Sequence, residues 1–249
     1  MGMLATAADY CSAIEEAVGP DDLCAAIAAI ALDLGFDHFA LTHHVDIRLA
    51  PRSSIRLHNY PDDWVEFFDH NRLAVSDPVH RASHVTSVGF TWANLPRLIT
   101  MTPGDQRILA LARKQGLGEG FTVPAHVPGE ARGSCSFASR AGRPLPRAVL
   151  PLAQLAGAFA FEGARRMWRA AELGPEPHPV LTDRQRDCLI WVARGKSDWE
   201  ISRIFGISQE TVVRHIKQAR ERYGLDKRTS LLMRTLFDGT ISFTDIFRR

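Results

Sequence analysis

LTDRQRDCLIWVARGKSDWEISRIFGISQETVVRHIKQARERYGLDKRTSLLMRTLFDG, residues 181–239, is the stretch on which the reading of this chain turns. Short helices with punctuated ends are legible in it. The first opens at Thr182, with Gln185 three residues on. That is a capping box: the threonine oxygen accepts an orphan backbone N–H, and the glutamine reaches back to cover another. Cys188, Leu189, Val192 and Ala193 recur at helical spacing, and Gly195 ends the run. Ser197 opens a second helix with Glu200 as box partner. Ile201, Ile204 and Phe205 form its apolar stripe, and Gly206 stops it. Only Gly206-Ile207-Ser208 leads to the next helix, which Ser208 caps and which runs from Gln209 to Tyr223 before Gly224. Two helices joined by so short a glycine-containing turn predict a helix-turn-helix, whose second member lies in the DNA major groove. A fourth helix begins at Arg228-Thr229.

Charge agrees with that expectation without deciding it. Thr211, Val212, Ile216, Ala219 and Tyr223 are expected to face inward on the third helix. That leaves Arg214, Lys217, Gln218, Arg220 and Arg222 outside, with His215 at the boundary. Residues 180–249 hold 14 Lys and Arg against 9 Asp and Glu, and residues 1–179 hold 16 against 19. The small overall charge of +2 therefore covers a basic module and a slightly acidic one. A basic face attracts phosphate by releasing condensed counterions. The plainer reading, ordinary solvated helix charges, is equally open on charge alone; the caps and the tight turn favour DNA.

The pattern TxRQ…GKSxxEIxxIxGISxxTVxxHI resembles the C-terminal domain of LuxR-type regulators, shared with two-component regulators of the NarL type. The resemblance implies a DNA-facing set of Ser208, Gln209, Thr211, Val213, Arg214, His215, Lys217 and Gln218, with Lys196, Arg220 and Arg228 holding phosphate. Three positions depart from the family. Gln185 stands where Glu is usual, which preserves the capping chemistry. Val213 stands where a polar side chain often meets the bases, which shifts readout to Arg214 and Lys217. Lys227 replaces a usual Asn.

The whole chain has 249 residues and 45% hydrophobic content, enough for packed cores in one large or two small domains. Four scattered cysteines, Cys11, Cys24, Cys135 and Cys188, lack CxxC spacing, so reduced thiols are expected rather than disulfides or zinc. No long uncharged apolar stretch and no basic-then-apolar start is present, so a cytoplasmic protein without membrane contact is expected. Helices are expected over 4–18 and 21–35 with Asp21 as a cap, over 61–72 with Pro61 in the first turn, after Asp77-Pro78, and over 103–116 and 146–172. Strands are expected near 39–45, 55–58, 119–126 and 134–139, the last two joined through Pro128-Gly129. The expected class is α+β: an N-terminal α/β/α sandwich with an antiparallel sheet over 1–173 and an all-α four-helix module over 181–249. Residues 174–180, with three prolines, read as a stiff linker.

In the front module Tyr60, Trp64, Asp77 and Trp92 lie in otherwise apolar, loop-rich sequence. Tyr and Trp each combine a large apolar face with one donor, and an aspartate among them can accept from a ligand N–H. The set suits a small amphiphile; an aromatic core with a surface aspartate explains it equally well. NYPDDWVEFF…DPV…FTW…GEGFTVP then resembles the autoinducer-binding domain of LuxR-type quorum-sensing regulators, from about Tyr60 to Ser136. The resemblance implies an N-acyl-homoserine lactone bound by Tyr60, Trp64, Phe68, Asp77, Pro78, Trp92, Gly120, Phe121 and Ser136. Trp64 would donate to the lactone carbonyl, Asp77 would accept from the amide, and Tyr60 and Ser136 would meet the acyl carbonyl. Trp92 and Phe121 would wall the pocket, and Gly120 would permit close backbone approach. Phe68 stands where the family commonly has Tyr, which implies a drier wall. Implied partners are double-stranded DNA, the autoinducer, a second copy and RNA polymerase.

Other chemistry finds little support. His80 and His84 share a helix face, yet no Glu follows His80 and no Cys is close, so surface histidines rather than a metal site are expected. His43-His44 would point to opposite faces of a strand. Gly116, Gly118 and Gly120 follow a helix and precede a strand, the wrong order for phosphate. No catalytic constellation stands out and no cofactor or enzyme activity is expected. Three readings stay open: a lactone-gated transcription factor, a solo sensor of another amphiphile such as an aromatic acyl lactone or a plant compound, and a phosphorylation-controlled response regulator.

Overall fold

The computed structural model describes residues 3–45, 54–128, 130–172 and 179–247. Most of the expected 174–180 linker, and Gly129 of the expected turn, lie outside the described residues. The chain divides into two compact units.

The first unit begins with α1 (Met3–Glu16) and α2 (Pro20–Asp33). Gly19 is the N-cap of α2, Pro20 takes the first-turn position, and Asp21 sits in that turn without capping it, which corrects the expected cap. β1 (His38–His43) and β2 (Arg56–His58) follow, then α3 (Asp62–His70), for which Pro61 is the N-cap rather than a first-turn residue. α4 (Pro78–Ser83), β3 (Phe90–Thr91) and α5 (Leu95–Leu98) come next; β3 and α5, very short, had no counterpart in the sequence reading. α6 (Pro103–Lys114), β4 (Leu117–Ala125), β5 (Gly133–Arg140) and α7 (Leu150–Glu172) complete the unit.

The sheet is five-stranded, in the order β2-β1-β5-β4-β3, with every pairing antiparallel. Residues directly opposite in such a ladder share a face. Phe39 opposes Phe137, Phe121 opposes Phe137, and Leu41 and Val123 both oppose Cys135. This face carries the large side chains, and α1, α2 and α7 bury it in one core with Ile14, Leu23, Ile27, Phe36 and Phe161. At about 2–3 kcal/mol for each fully buried large apolar side chain, it dominates the unit's stability. Phe159, Met167 and Trp168 of α7 also pack against this core. The opposite face carries Ala40, Thr42, Thr122, Ser134, Ser136 and Ala138, all small. Short side chains cannot reach the α3, α4 and α6 layer that covers them, so space remains between sheet and helices.

The second unit holds α8 (Asp183–Ala193), α9 (Asp198–Phe205), α10 (Gln209–Arg222), α11 (Arg228–Phe237) and α12 (Phe243–Phe247). Both predicted boxes form: Thr182 Oγ1 accepts from Gln185 N at 3.3 Å, and Ser197 Oγ accepts from Glu200 N at 3.3 Å, each with the reciprocal bond. Ser208 Oγ caps α10 by accepting from Thr211 N at 3.2 Å. Gly206 adopts φ +66°, a left-handed turn that a Cβ would strain, and so sets the angle between α9 and α10. Cys188, Val192, Ile201, Val212 and Ile216 form the core beneath them, whereas Ile204 lies exposed rather than in the expected stripe. α12 is a fifth helix beyond the four expected. Arg186 fastens it through Asp245 at 2.8 Å, and Arg194 donates to the Asp245 and Ile246 carbonyls.

Candidate functional site

The space on the small-residue side of the sheet is a cavity with two adjoining lobes of about 160 Å³ and 50 Å³. Ala40, Thr42, Tyr60, Trp64, Phe68 and His80 line both. Asp77, Trp92 and Ser136 line the smaller one. The structure thus brings together six of the predicted ligand residues: Tyr60, Trp64, Phe68, Asp77, Trp92 and Ser136.

Each is held by its local chemistry. α3 presents Trp64 and Phe68 four residues apart, hence on one face, with ring centroids 6.1 Å apart. Trp64 is 5% exposed, and its indole nitrogen donates to no group among the described residues. Asp77 is the N-cap of α4: its Oδ1 accepts from Val79 N at 2.9 Å and His80 N at 3.0 Å. These bonds use one carboxyl oxygen and leave the other for a ligand. Trp92 Nε1 donates to Thr122 Oγ1 at 2.9 Å, Thr122 bonds Ser136 Oγ at 2.8 Å, and Ser136 bonds the Tyr60 phenol. Burial pushes the Tyr60 hydroxyl far above its ordinary value, with Asp77 adding to the shift, so it stays a neutral donor. Thr122 was missed in the sequence; two residues beyond Gly120, it sits on the same face by strand alternation.

Three predicted residues do not reach the lining. Pro78 is buried as the first residue of α4 and positions Asp77. Gly120 lies behind the indole: a Cβ there would come within 2.4 Å of the Trp92 ring, so the close approach is by a side chain and not by ligand or backbone. Phe121 faces the α7 core, because its neighbours Gly120 and Thr122 take the cavity side; the expectation that it walls the cavity is corrected.

Beside the cavity, histidines from distant segments meet, so His80 and His84 are not the surface pair expected from sequence. His44 is buried, with its ring stacked on His80 at 3.8 Å. Its Nδ1 lies 2.8 Å from His84 Nε2, and its Nε2 lies 2.9 Å from Ser134 Oγ. Among the described residues no group of side chains has metal-holding geometry. Burial first, then the neighbouring histidines, holds His44 well below 6.5. Burial, then Arg132 and the neighbouring histidines, lowers His84 to about 4. The unfolded chain therefore takes up protons first on acidification. The associated stability is complete above about 6.5 and is lost as pH falls toward about 4. The urea midpoint, followed by tryptophan fluorescence, should fall between those limits, and His44→Gln should flatten the dependence. A flat wild-type profile would exclude this account.

On the second unit, Ser208, Gln209, Val213, Arg214, Lys217 and Gln218 are exposed along α10 and its cap, whereas Thr211 and His215 are half-buried. Arg214 makes no ion pair among the described residues. Lys217 lies 3.8 Å from Glu221, an exposed pair of little energetic weight. Gln218 accepts from Gln185 Nε2 at 3.4 Å. The expected phosphate holders have partners of their own: Lys196 pairs with Glu200 at 2.9 Å, Arg228 with Asp198 at 2.6 Å, and Arg220 donates to the Asp226 carbonyl.

Known proteins resemble this chain in sequence and in fold. Residues 19–164 match the autoinducer binding domain family, and residues 179–235 match bacterial regulatory proteins of the luxR family. The chain is 26% identical over 224 residues to the transcriptional activator protein AhyR of Aeromonas hydrophila, covering 89% of this chain and 86% of that protein. It is 26% identical over 206 residues to the transcriptional activator protein LuxR of Aliivibrio fischeri, covering 78% and 77%. In fold it is similar to Escherichia coli SdiA, with a TM-score of 0.67 at 21% identity over 96% of this chain and 98% of that one. SdiA in complex with octanoyl-rac-glycerol gives a TM-score of 0.68 at 21% identity, covering 97% and 98%. The chain therefore belongs to the LuxR-type quorum-sensing transcriptional regulators, with an autoinducer-binding domain followed by a luxR-family helix-turn-helix.

Proposed function

We propose that this regulator binds an N-acyl-homoserine lactone in the two-lobed cavity and, so occupied, binds a two-fold symmetric DNA site in the cytoplasm as a homodimer. The observation that carries the ligand reading is that Tyr60, Trp64, Asp77 and Ser136 line one small lobe. Their chemistry matches a lactone head group by group. The uncommitted Trp64 N–H suits the lactone carbonyl, the second oxygen of Asp77 suits the amide N–H, and the Tyr60–Ser136 hydroxyl pair suits the acyl carbonyl. A buried amide without partners costs a few kcal/mol, about 1–3 on mutational scales, so each group selects for that head. The domain limits we propose are 1–173 for ligand, 174–180 for the linker and 181–249 for DNA. Occupancy favours the dimer-competent state through differential affinity, and paired recognition helices then meet paired half-sites. Arg214 and Lys217 choose bases, and RNA polymerase is the downstream partner. The phosphorylation-controlled reading falls away, because the front of the chain matches an autoinducer domain and not a receiver.

The test is to express the protein in cells supplied with a mixture of acyl-homoserine lactones, purify it, and identify the retained molecule by mass spectrometry. We expect one lactone per chain. Recovery of a different amphiphile instead would leave the family assignment standing and overturn the lactone.

A further inference from the structure

The larger lobe of the cavity is polar at the end away from Asp77, Trp92 and Ser136. There it is lined by Arg56, His58, Asp69 and Arg72, from β2 and the end of α3. Strand register puts two of these on the cavity face: Arg56 opposes Thr42 and His58 opposes Ala40. Arg56 Nη1 donates to both oxygens of Asp69, at 3.0 and 2.9 Å, so those charges balance one another. His58 has no such partner. Its Nδ1 is enclosed without a hydrogen bond, and the ring makes none elsewhere among the described residues. Burial, then the nearby Arg56, lowers its proton affinity, so the ring is neutral at pH 7. An enclosed acceptor left unpaired is less costly than an enclosed N–H, which places the proton on Nε2. That N–H is then a donor in a lobe that Val65, Phe68 and Leu73 also wall. At about 160 Å³ the lobe has the capacity of a benzene-sized guest, since an apolar cavity of about 150 Å³ takes up benzene.

Resting on the lactone reading, we propose that the acyl group of this protein's ligand carries an oxygen near its far end, a hydroxyl or comparable acceptor, and that His58 donates to it. The head occupies the small lobe, the apolar middle passes Trp64 and Phe68, and the terminal oxygen meets the imidazole. His58 thereby discriminates against plain alkyl chains, which would leave its N–H unpaired on binding.

The experiment measures dose–response in a reporter strain expressing the full chain, with homoserine lactones of short, medium and long acyl chain, each paired with its ω-hydroxy analogue. At the length that reaches the lobe, the hydroxylated member should act at about tenfold lower concentration, the gain of one buried hydrogen bond. His58→Phe should bring the two together. His58→Gln, which keeps a donor, should retain the preference. Equal or better response to the plain chain at every length in the wild type overturns the inference and leaves the lactone reading intact. A preference surviving in His58→Phe removes His58 from it. Should the phenylalanine variant not fold, the wild-type ratio and the glutamine variant decide. Silence toward every lactone sinks the lactone reading, and this inference with it.

Discussion

Asp77→Asn should weaken ligand response by roughly ten- to a hundredfold while α4 stays in place. The two effects separate because the carboxyl divides its work. Oδ1 accepts from Val79 and His80 and caps α4, and asparagine caps as well as aspartate does. The second position becomes an NH2, which donates where the lactone amide also donates. The ligand loses an acceptor and meets a competing donor, a penalty of about 1.5–3 kcal/mol for a strong hydrogen bond. Asp77→Ala should add loss of the cap, about 1 kcal/mol of stability. Trp64→Phe removes the N–H and part of the aromatic wall, so it should also weaken the response. Calorimetric titration of a lactone, alongside thermal melts, reads both quantities. Unchanged affinity in Asp77→Asn would remove the carboxyl from the ligand's shell.

Arg214→Ala should lower operator affinity by about a hundredfold without altering the melting of the second unit. Arg214 is exposed on α10 and has no ion pair among the described residues, so its removal costs the fold nothing visible. A side chain that reads a base is worth about 1–3 kcal/mol, and a two-fold site loses the contact twice. Arg228→Ala should behave in the opposite manner. Its guanidinium joins the start of α11 to Asp198 and the Lys196 carbonyl, so thermal stability falls first. Band-shift titrations and melts on both variants distinguish the roles. If Arg214→Ala bound operator like the wild type, readout would rest on other positions of α10.

What could be read in the sequence was what local chemistry determines. The caps at Thr182, Ser197 and Ser208 involve residues three apart, and all formed. The same spacing recurs ahead of α6, where Thr102 and Asp105 exchange capping bonds, and ahead of α12, where Ser242 and Asp245 do so at 3.2 and 2.9 Å. The cavity was legible only in part. Resemblance named six residues that do meet, yet it put Phe121 with them, because strand parity depends on register, which no single segment states. The alternation Ser134-Cys135-Ser136-Phe137-Ala138 did carry the information that one face is small and the other large. The histidine group was not legible. His44, the His80–His84 pair and His126 come from just after β1, from α4 and its C-cap, and from just after β4, and only the folded chain makes them neighbours.

The sorting of the sheet into a bulky face and a slight one has a consequence for how such a receptor can diverge. Exchanges at Ala40 and Thr42 reshape what the guest touches, and their side chains point away from the aromatic packing under α7. Preference for one signal over another can therefore drift by single substitutions while the scaffold keeps its strength, so descendants of one ancestor can come to listen to different neighbours.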